Sequence, residues 1–173
     1  LNHIAFIMDG NGRWGKKKNK SRNYGHLKGV EIVKKIVAKS IKLKIPVISF
    51  YVFSSENWKR PKNEISYLFT LIKNYFLNEI DRVTSQGIKI NIIGNLNKLP
   101  KDIRKILYKT INSTKNNKTI TVNLAINYGS KNETIMALKK IKKNITIKNI
   151  EKNLYTKDIP DPDILIRTGG HQR

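Results

Sequence analysis

His3-Ile-Ala-Phe-Ile-Met-Asp-Gly-Asn-Gly-Arg-Trp14 is the stretch on which the reading of this chain turns. The apolar run Ile4 to Met8 stops abruptly at an acid, two glycines and an arginine. A short continuous run of this kind reads as a strand buried on both faces, with Asp9 at its carboxyl end, the edge where open α/β sheets bind their ligands. Gly10 and Gly12 let backbone N–H groups approach an anion, Arg13 supplies a bidentate cation, and Asp9 is a natural Mg²⁺ ligand. The stretch therefore points to a metal-bound phosphate ester. Asn11-Gly12 is also a hairpin signal. However, the following Gly15-Lys-Lys-Lys-Asn-Lys-Ser-Arg22 is polar and without alternation, so no partner strand is available and the segment reads as a loop.

The same unit recurs along the chain. Apolar positions from Val30 to Ile41 form a helical stripe opposite lysines, after which Pro46 marks a break. Val47 to Phe53 reads as a second buried strand, ending in the polar loop Ser54-Ser-Glu-Asn-Trp-Lys-Arg-Pro61. From Lys62 to Arg82 the apolar residues cover more than one helical face, which suits a helix lining a greasy cavity, a helix buried between sheet and neighbour, or both. Ile88 to Ile93, Thr119 to Ile126 and Ile164 to Arg167 read as further strands, and 101–114, 132–141 and 147–155 as helices. Such alternation predicts an α/β fold: an open, mainly parallel twisted sheet of about six strands with helices on both faces, in one domain spanning 1–173.

Composition narrows the chemistry. With 173 residues and 39% hydrophobic content the chain can bury a substantial core, and with no cysteine it has neither disulfides nor thiolate chemistry, so any metal must use oxygen or imidazole. No apolar stretch approaches the roughly 20 residues that span a bilayer. Thirty-five Lys and Arg against 12 Asp and Glu leave a net charge of +23, which attracts nucleic acid, anionic lipid or phosphorylated metabolites alike. The excess is mostly lysine scattered among Ile and Asn, a pattern that AT-rich coding also produces. Neither a basic recognition helix nor exposed aromatics interleaved with bases are found, so no specific nucleic-acid partner is expected.

The strand ends would bring Asp9, Asn11 and Arg13, then Ser55, Asn57, Trp58 and Arg60, then Arg167 and Arg173, to one crevice. Four cations and one acid suit two phosphate groups. A nucleotide cradle is not indicated, because neither G-x-x-x-x-G-K-[ST] nor G-x-G-x-x-G occurs. Asp161 and Asp163, before a strand, read as turn and capping residues rather than a metal pair.

In order, His3 to Trp14, Gly25-His-Leu-Lys-Gly29, Phe53-Ser-Ser-Glu-Asn-Trp-Lys-Arg-Pro61, Asn127-Tyr-Gly129 and Asp161-Pro-Asp-Ile-Leu-Ile-Arg-Thr168 resemble the cis-prenyltransferases, especially the bacterial undecaprenyl diphosphate synthases, nearly end to end. The D-D-x-x-D signature of the trans-type synthases is not present. The resemblance implies Mg²⁺-dependent condensation of isopentenyl diphosphate onto an allylic diphosphate such as farnesyl diphosphate, giving a long polyprenyl diphosphate that precedes a cell-wall lipid carrier. It makes Asp9 the essential Mg²⁺-handling carboxylate, with Gly10, Asn11, Gly12, Arg13, Trp14, Arg22 and His26 cradling the allylic diphosphate. Ser54, Ser55, Glu56, Asn57, Trp58 and Arg60 match a mobile loop that closes over substrates, in which Asn57 organises proton removal and Trp58 shields the reacting carbons. Arg167 and Arg173 match the residues that bind isopentenyl diphosphate. A hydrocarbon channel is expected between Phe50 and Val52 on the sheet and the Ile65 to Ile80 helix.

The resemblance further implies a homodimer in the cytoplasm, touching the anionic inner face of the membrane peripherally. A non-catalytic relative that binds prenyl diphosphates or supports a partner subunit is the alternative, and a basic nucleic-acid binder is a distant third. Two departures stand out. His171 occupies a position where the family usually has Glu, and a further segment with a second Mg²⁺-linked Glu and much of the dimer contact is expected beyond Arg173.

Overall fold

The computed structural model describes residues 1–170. Five strands alternate with helices: β1 (His3–Ile7), α1 (Asn11–Lys17), α2 (Arg22–Lys42), β2 (Val47–Ser54), α3 (Lys62–Ser85), β3 (Ile88–Ile93), α4 (Lys101–Thr114), β4 (Ile120–Tyr128), α5 (Ser130–Lys140), α6 (Ile147–Glu151) and β5 (Ile164–Arg167). Tight 3₁₀ turns occupy Ser55–Lys59 and Leu96–Lys98. The sheet order is β3-β4-β2-β1-β5 and every pairing is parallel, so all five strands point their carboxyl ends to one edge. The α/β class is as the alternation implied, with five strands among the described residues rather than six.

Register separates the two sheet faces. Phe6, Phe50, Leu124 and Ile92 lie abreast, and with Ile48, Ile90 and Val122 they give one face an aliphatic and aromatic surface. α2, α3 and α4 contribute Val37, Ile65, Phe69, Phe76, Ile103 and Leu107 to the same core. The opposite face carries a polar chain. Asn91 Nδ2 donates to Asn123 Oδ1 at 3.0 Å, Asn123 Nδ2 to Ser49 Oγ at 3.0 Å, and His3 Nε2 meets Ser49 Oγ at 2.8 Å. His3 Nδ1 reaches the Pro160 carbonyl at 2.6 Å, and Asp163 accepts from the Asn2 and His3 backbone N–H groups, which ties the approach to β5 onto the start of β1. Asp163 is thus a backbone cap, as its place before a strand suggested.

Residues 11–17, which read as loop, form a short helix instead. The reason is tertiary. α1 packs directly on α2, where a Cβ on Gly25 would stand 1.8 Å from the Asn11 carbonyl oxygen and one on Gly15 would stand 2.4 Å from the Ser21 carbonyl oxygen. Glycine-backed contact replaces the apolar stripe that sequence patterning looks for. Ser21 then starts α2 by accepting from the Tyr24 N–H at 3.1 Å.

Gly25→Ala should separate the two helices and destabilise the domain by about 1–3 kcal/mol, seen as a lower midpoint in thermal or urea unfolding. An unchanged midpoint would show that the close approach is dispensable.

Candidate active site

The parallel sheet delivers β1 and β5 side by side, and their exits are strapped together. Thr168 N–H donates to the Ile7 carbonyl at 3.1 Å and Thr168 Oγ1 to the Asp9 carbonyl at 2.7 Å. Gly10, at φ +88°, lies against Gly169, whose Cα would sit 2.9 Å from a Cβ at position 10. Only glycine meets both demands. Asp9 consequently faces arginines from two segments: Oδ1 accepts from the Gly10 N–H at 2.7 Å and from Arg13 Nη2 at 3.3 Å, and Oδ2 accepts from Arg167 Nη2 at 3.0 Å. Burial alone would raise the Asp9 carboxyl, but the Arg167 hydrogen bond, the Gly10 N–H and the two guanidinium charges outweigh it and hold the group below its ordinary range. Asp9 is therefore an anion at neutral pH. Arg167 Nε is buried with no hydrogen-bond partner among the described residues, a donor available to a further acceptor.

A second carboxylate, Glu64 near the start of α3, gathers three nitrogen-bearing side chains. Arg22 donates through Nε and Nη2 at 3.0 and 3.3 Å, His26 Nε2 approaches at 3.1 Å, and Arg60 Nη1 donates at 3.1 Å. Burial pushes Glu64 upward, and the bonds from Arg22 and His26 with the charges of Arg22 and Arg60 pull it lower still. Burial, joined by the charges of Arg60 and Arg22, lowers His26 below its usual value against the upward pull of Glu64, so the ring is neutral at pH 7. Since ionised Glu64 can only accept, His26 Nε2 carries the proton.

Between these clusters opens a cavity of about 530 Å³. Its mouth is polar, formed by Asp9, Gly10, Asn11, Gly12, Arg13, Arg22, His26, Ser54, Glu56, Asn57, Arg60 and Arg167, and its interior is apolar, including Met8, Val33, Val52, Leu68, Ile72 and Phe76. Such a site suits an amphiphile with an anionic head and a hydrocarbon tail. The wide apolar face of α3 does line a cavity while also packing in the core. Phe50, expected on the channel wall, is fully buried against Phe6 instead, their ring centroids 5.2 Å apart. A register shift between Tyr51 and Phe53 marks the end of β2, and Val52 and Phe53 line the cavity there.

Three other expected residues lie elsewhere. Trp14 is exposed and stacks on Tyr24, centroids 6.0 Å apart, outside the lining. Ser55 abuts Gly129. Trp58 packs one side of its ring on Phe53 and Phe69, with centroids at 5.3 and 5.6 Å, while 37% of the residue stays exposed. Arg173 and His171 fall outside the described residues. Sequence reasoning passed over Glu64. Its available signal was an acid four residues after Arg60, preceding the apolar positions of α3. Among the described residues no group of three or more His, Cys, Asp or Glu is arranged to hold a metal ion. A metal at this mouth would rest on Asp9 as its protein carboxylate, with a bound diphosphate supplying further oxygens, a donor set that fits Mg²⁺.

An all-parallel sheet whose carboxyl edge holds paired arginines over a greasy cavity defines a site for an amphiphile with an anionic head. Residues 7–173 match the prenyltransferase family model described for undecaprenyl diphosphate synthase. The isoprenyl transferase of Clostridium tetani is 43% identical across 99% of this chain and 71% of its own length. That of Helicobacter pylori strain J99 is 42% identical across 100% of this chain and 78% of its own. Lavandulyl diphosphate synthase from Lavandula x intermedia, solved with dimethylallyl diphosphate, superimposes with a TM-score of 0.94 at 26% identity, covering 99% of this chain and 79% of the other. A Campylobacter jejuni protein described as a probable undecaprenyl diphosphate synthase does so with a TM-score of 0.84 at 30% identity, covering 100% and 77%. The chain belongs to the undecaprenyl diphosphate synthase family of isoprenyl transferases, and it is a transferase.

Glu64→Gln should cost about 1–2 kcal/mol of unfolding free energy at neutral pH, since it removes a charged acceptor from four hydrogen bonds whose arginine partners are partly solvated. Because the folded-state pKa of Glu64 lies below its ordinary 4.5, its contribution is present above that value and disappears as pH falls through the folded value. Urea unfolding at several pH values should thus show the native–variant gap closing below pH 4.5, whereas a gap independent of pH would assign the loss to packing.

Proposed function

We propose that this chain condenses isopentenyl diphosphate onto farnesyl diphosphate or a similar allylic diphosphate, repeatedly and with cis geometry, making a long polyprenyl diphosphate for a cell-wall lipid carrier. One observation carries the reading: the anionic Asp9 stands between Arg13 and Arg167 at the lip of an apolar cavity. Each condensation breaks the allylic C–O bond, forms a carbon–carbon bond from the isopentenyl alkene, and releases the C2 proton. Arg13, Arg22 and His26, with the backbone at Gly10 to Gly12, would hold the allylic diphosphate as it takes up negative charge. Arg167, with its Nε unpartnered among the described residues, and Arg173 would hold isopentenyl diphosphate in line.

Asn57 lines the mouth with its Oδ1 accepting from the Ser54 N–H at 3.0 Å, a fixed orientation from which its amide can organise proton removal. Asp9 would hold Mg²⁺, which when bound supplies positive charge to the departing diphosphate. The apolar interior receives the growing tail and excludes water from the reacting carbons.

A homodimer, as the resemblance to the family implies, is part of the same reading. No helix among the described residues is long and apolar enough to cross a membrane. The lysine-rich surface and the lipid nature of the product support a cytoplasmic enzyme in peripheral contact with the anionic inner membrane face.

Asp9→Ala should lower incorporation of radiolabelled isopentenyl diphosphate into extractable polyprenyl product by about 10³-fold while leaving the circular dichroism spectrum unchanged. Full turnover by that variant would remove Asp9 from the mechanism. Ile72→Trp, which fills the tail cavity, should move the product to shorter chains on thin-layer chromatography with the first condensation retained. An unchanged length distribution would place the tail elsewhere.

A further inference from the structure

Asn127, the next-to-last residue of β4, holds a conformation that costs energy and is used on every side. Its φ of +51° lies in the left-handed region, a strain of order 1 kcal/mol or more for a residue other than glycine. The side chain is buried, at 5% exposure. Nδ2 donates to the Asn95 carbonyl at 2.6 Å, and the Asn95 N–H donates back to the Asn127 carbonyl at 3.2 Å. Because the Asn95 oxygen can only accept, the amide orientation is fixed and Oδ1 is left for a donor. That donor is Trp58 Nε1, at 2.8 Å.

Two residues further along, Gly129 is packed so closely on Ser55 that a Cβ there would lie 2.3 Å from its Oγ. The turn Ser55–Lys59 buries none of its own residues, so its place is set by these contacts, by the Trp58 ring on Phe53 and Phe69, and by the Ser54–Asn57 and Arg60–Glu64 hydrogen bonds at its two ends. Flanking Trp58, Glu56, Asn57 and Arg60 line the cavity, whereas Asn127 does not.

We propose that Asn127 is a positioning residue: through the Trp58 indole it holds the Ser54 to Arg60 segment in the register that presents Asn57 and Arg60 to the substrates. It touches neither substrate and acts through Trp58. The kinetic consequence rests on the condensation reading above; the anchoring itself does not.

The test uses a Trp14→Phe background, which leaves Trp58 as the only indole of the chain's two. Asn127→Gly tolerates the positive φ and removes only the side chain. Asn127→Gly should raise acrylamide quenching of Trp58 emission and lower kcat with farnesyl and isopentenyl diphosphates by about tenfold. Trp58→Phe, which keeps the ring and lacks the N–H, should lose kcat comparably, speed trypsin cleavage after Lys59, and show no further loss when combined with Asn127→Gly.

Unchanged quenching in Asn127→Gly, or losses that multiply in the double variant, would each overturn the proposal. Raised quenching in Asn127→Gly, with no turnover even in the parent, would uphold the anchor and overturn the condensation reading.

Discussion

The site depends on the approach of two strand exits. β1 and β5 are distant in sequence, yet parallel pairing sets Ile7 opposite Arg167. The next residues then meet: Gly10 on Gly169, Thr168 on the Asp9 carbonyl, Arg167 on the Asp9 carboxylate. This contact cannot be loosened gradually. A side chain at position 10 would collide with the Gly169 backbone, next to the hydrogen-bonded Thr168, and withdrawing β5 would leave a partly buried carboxylate without one of its two guanidinium partners, a cost set by desolvation rather than by the modest net value of one ion pair. Polar fastening behind the site serves the same end. His3, Ser49, Pro160 and Asp163 bind the other end of the β1–β5 pair, so that the strands enter the sheet in fixed register.

Two acids then govern the electrostatics of the mouth. Asp9 stands between Arg13 and Arg167, and Glu64 collects Arg22, His26 and Arg60. Without ligand, four guanidiniums converge on one crevice, and the carboxylates keep their mutual repulsion in check while holding their forks in place. A diphosphate entering this mouth meets donors that are already oriented, so less side-chain freedom is lost on binding than for free surface arginines. Neutral His26 adds an N–H donor without adding to the repulsion. The depressed values of Asp9 and Glu64 follow from this arrangement and keep both acids ionised across the neutral range.

What the sequence reveals follows the range of the interactions involved. The strands were legible because each is a short stretch rich in apolar and β-branched residues, and the convergence of Asp9, Arg13, Asn57, Arg60 and Arg167 on one edge follows from parallel topology alone. α1 was not legible: its contacts are glycine backbones pressed on α2, which leave no hydrophobic period. Glu64 was hidden for a related reason, since its partners Arg22 and His26 lie 42 and 38 residues away and only Arg60 is local. The packing of Trp58 was hidden because its acceptor, Asn127, is 69 residues distant. The place of Phe50 depends on depth along β2. It shares a face with Val52, but Phe6 and the helices close over it before the cavity begins.

The charge of the chain, ambiguous as a total, becomes informative when it is divided by residue type. Seven of the thirty-five basic residues are arginine. Among the described residues, four arginines line the cavity, Arg13, Arg22, Arg60 and Arg167, and no lysine does. Lysine and arginine contribute equally to net charge but not to diphosphate recognition. A guanidinium offers a rigid planar fork that can bond a carboxylate and a phosphate together, whereas an ammonium is a strongly hydrated point charge on a mobile stem. Arg22 shows the difference directly, engaging both oxygens of Glu64 through Nε and Nη2 with its remaining nitrogen still to offer. In a chain otherwise dominated by lysine, arginine is concentrated where geometry as well as charge is required. The lysines make the surface cationic at long range, and the arginines make the mouth specific at short range.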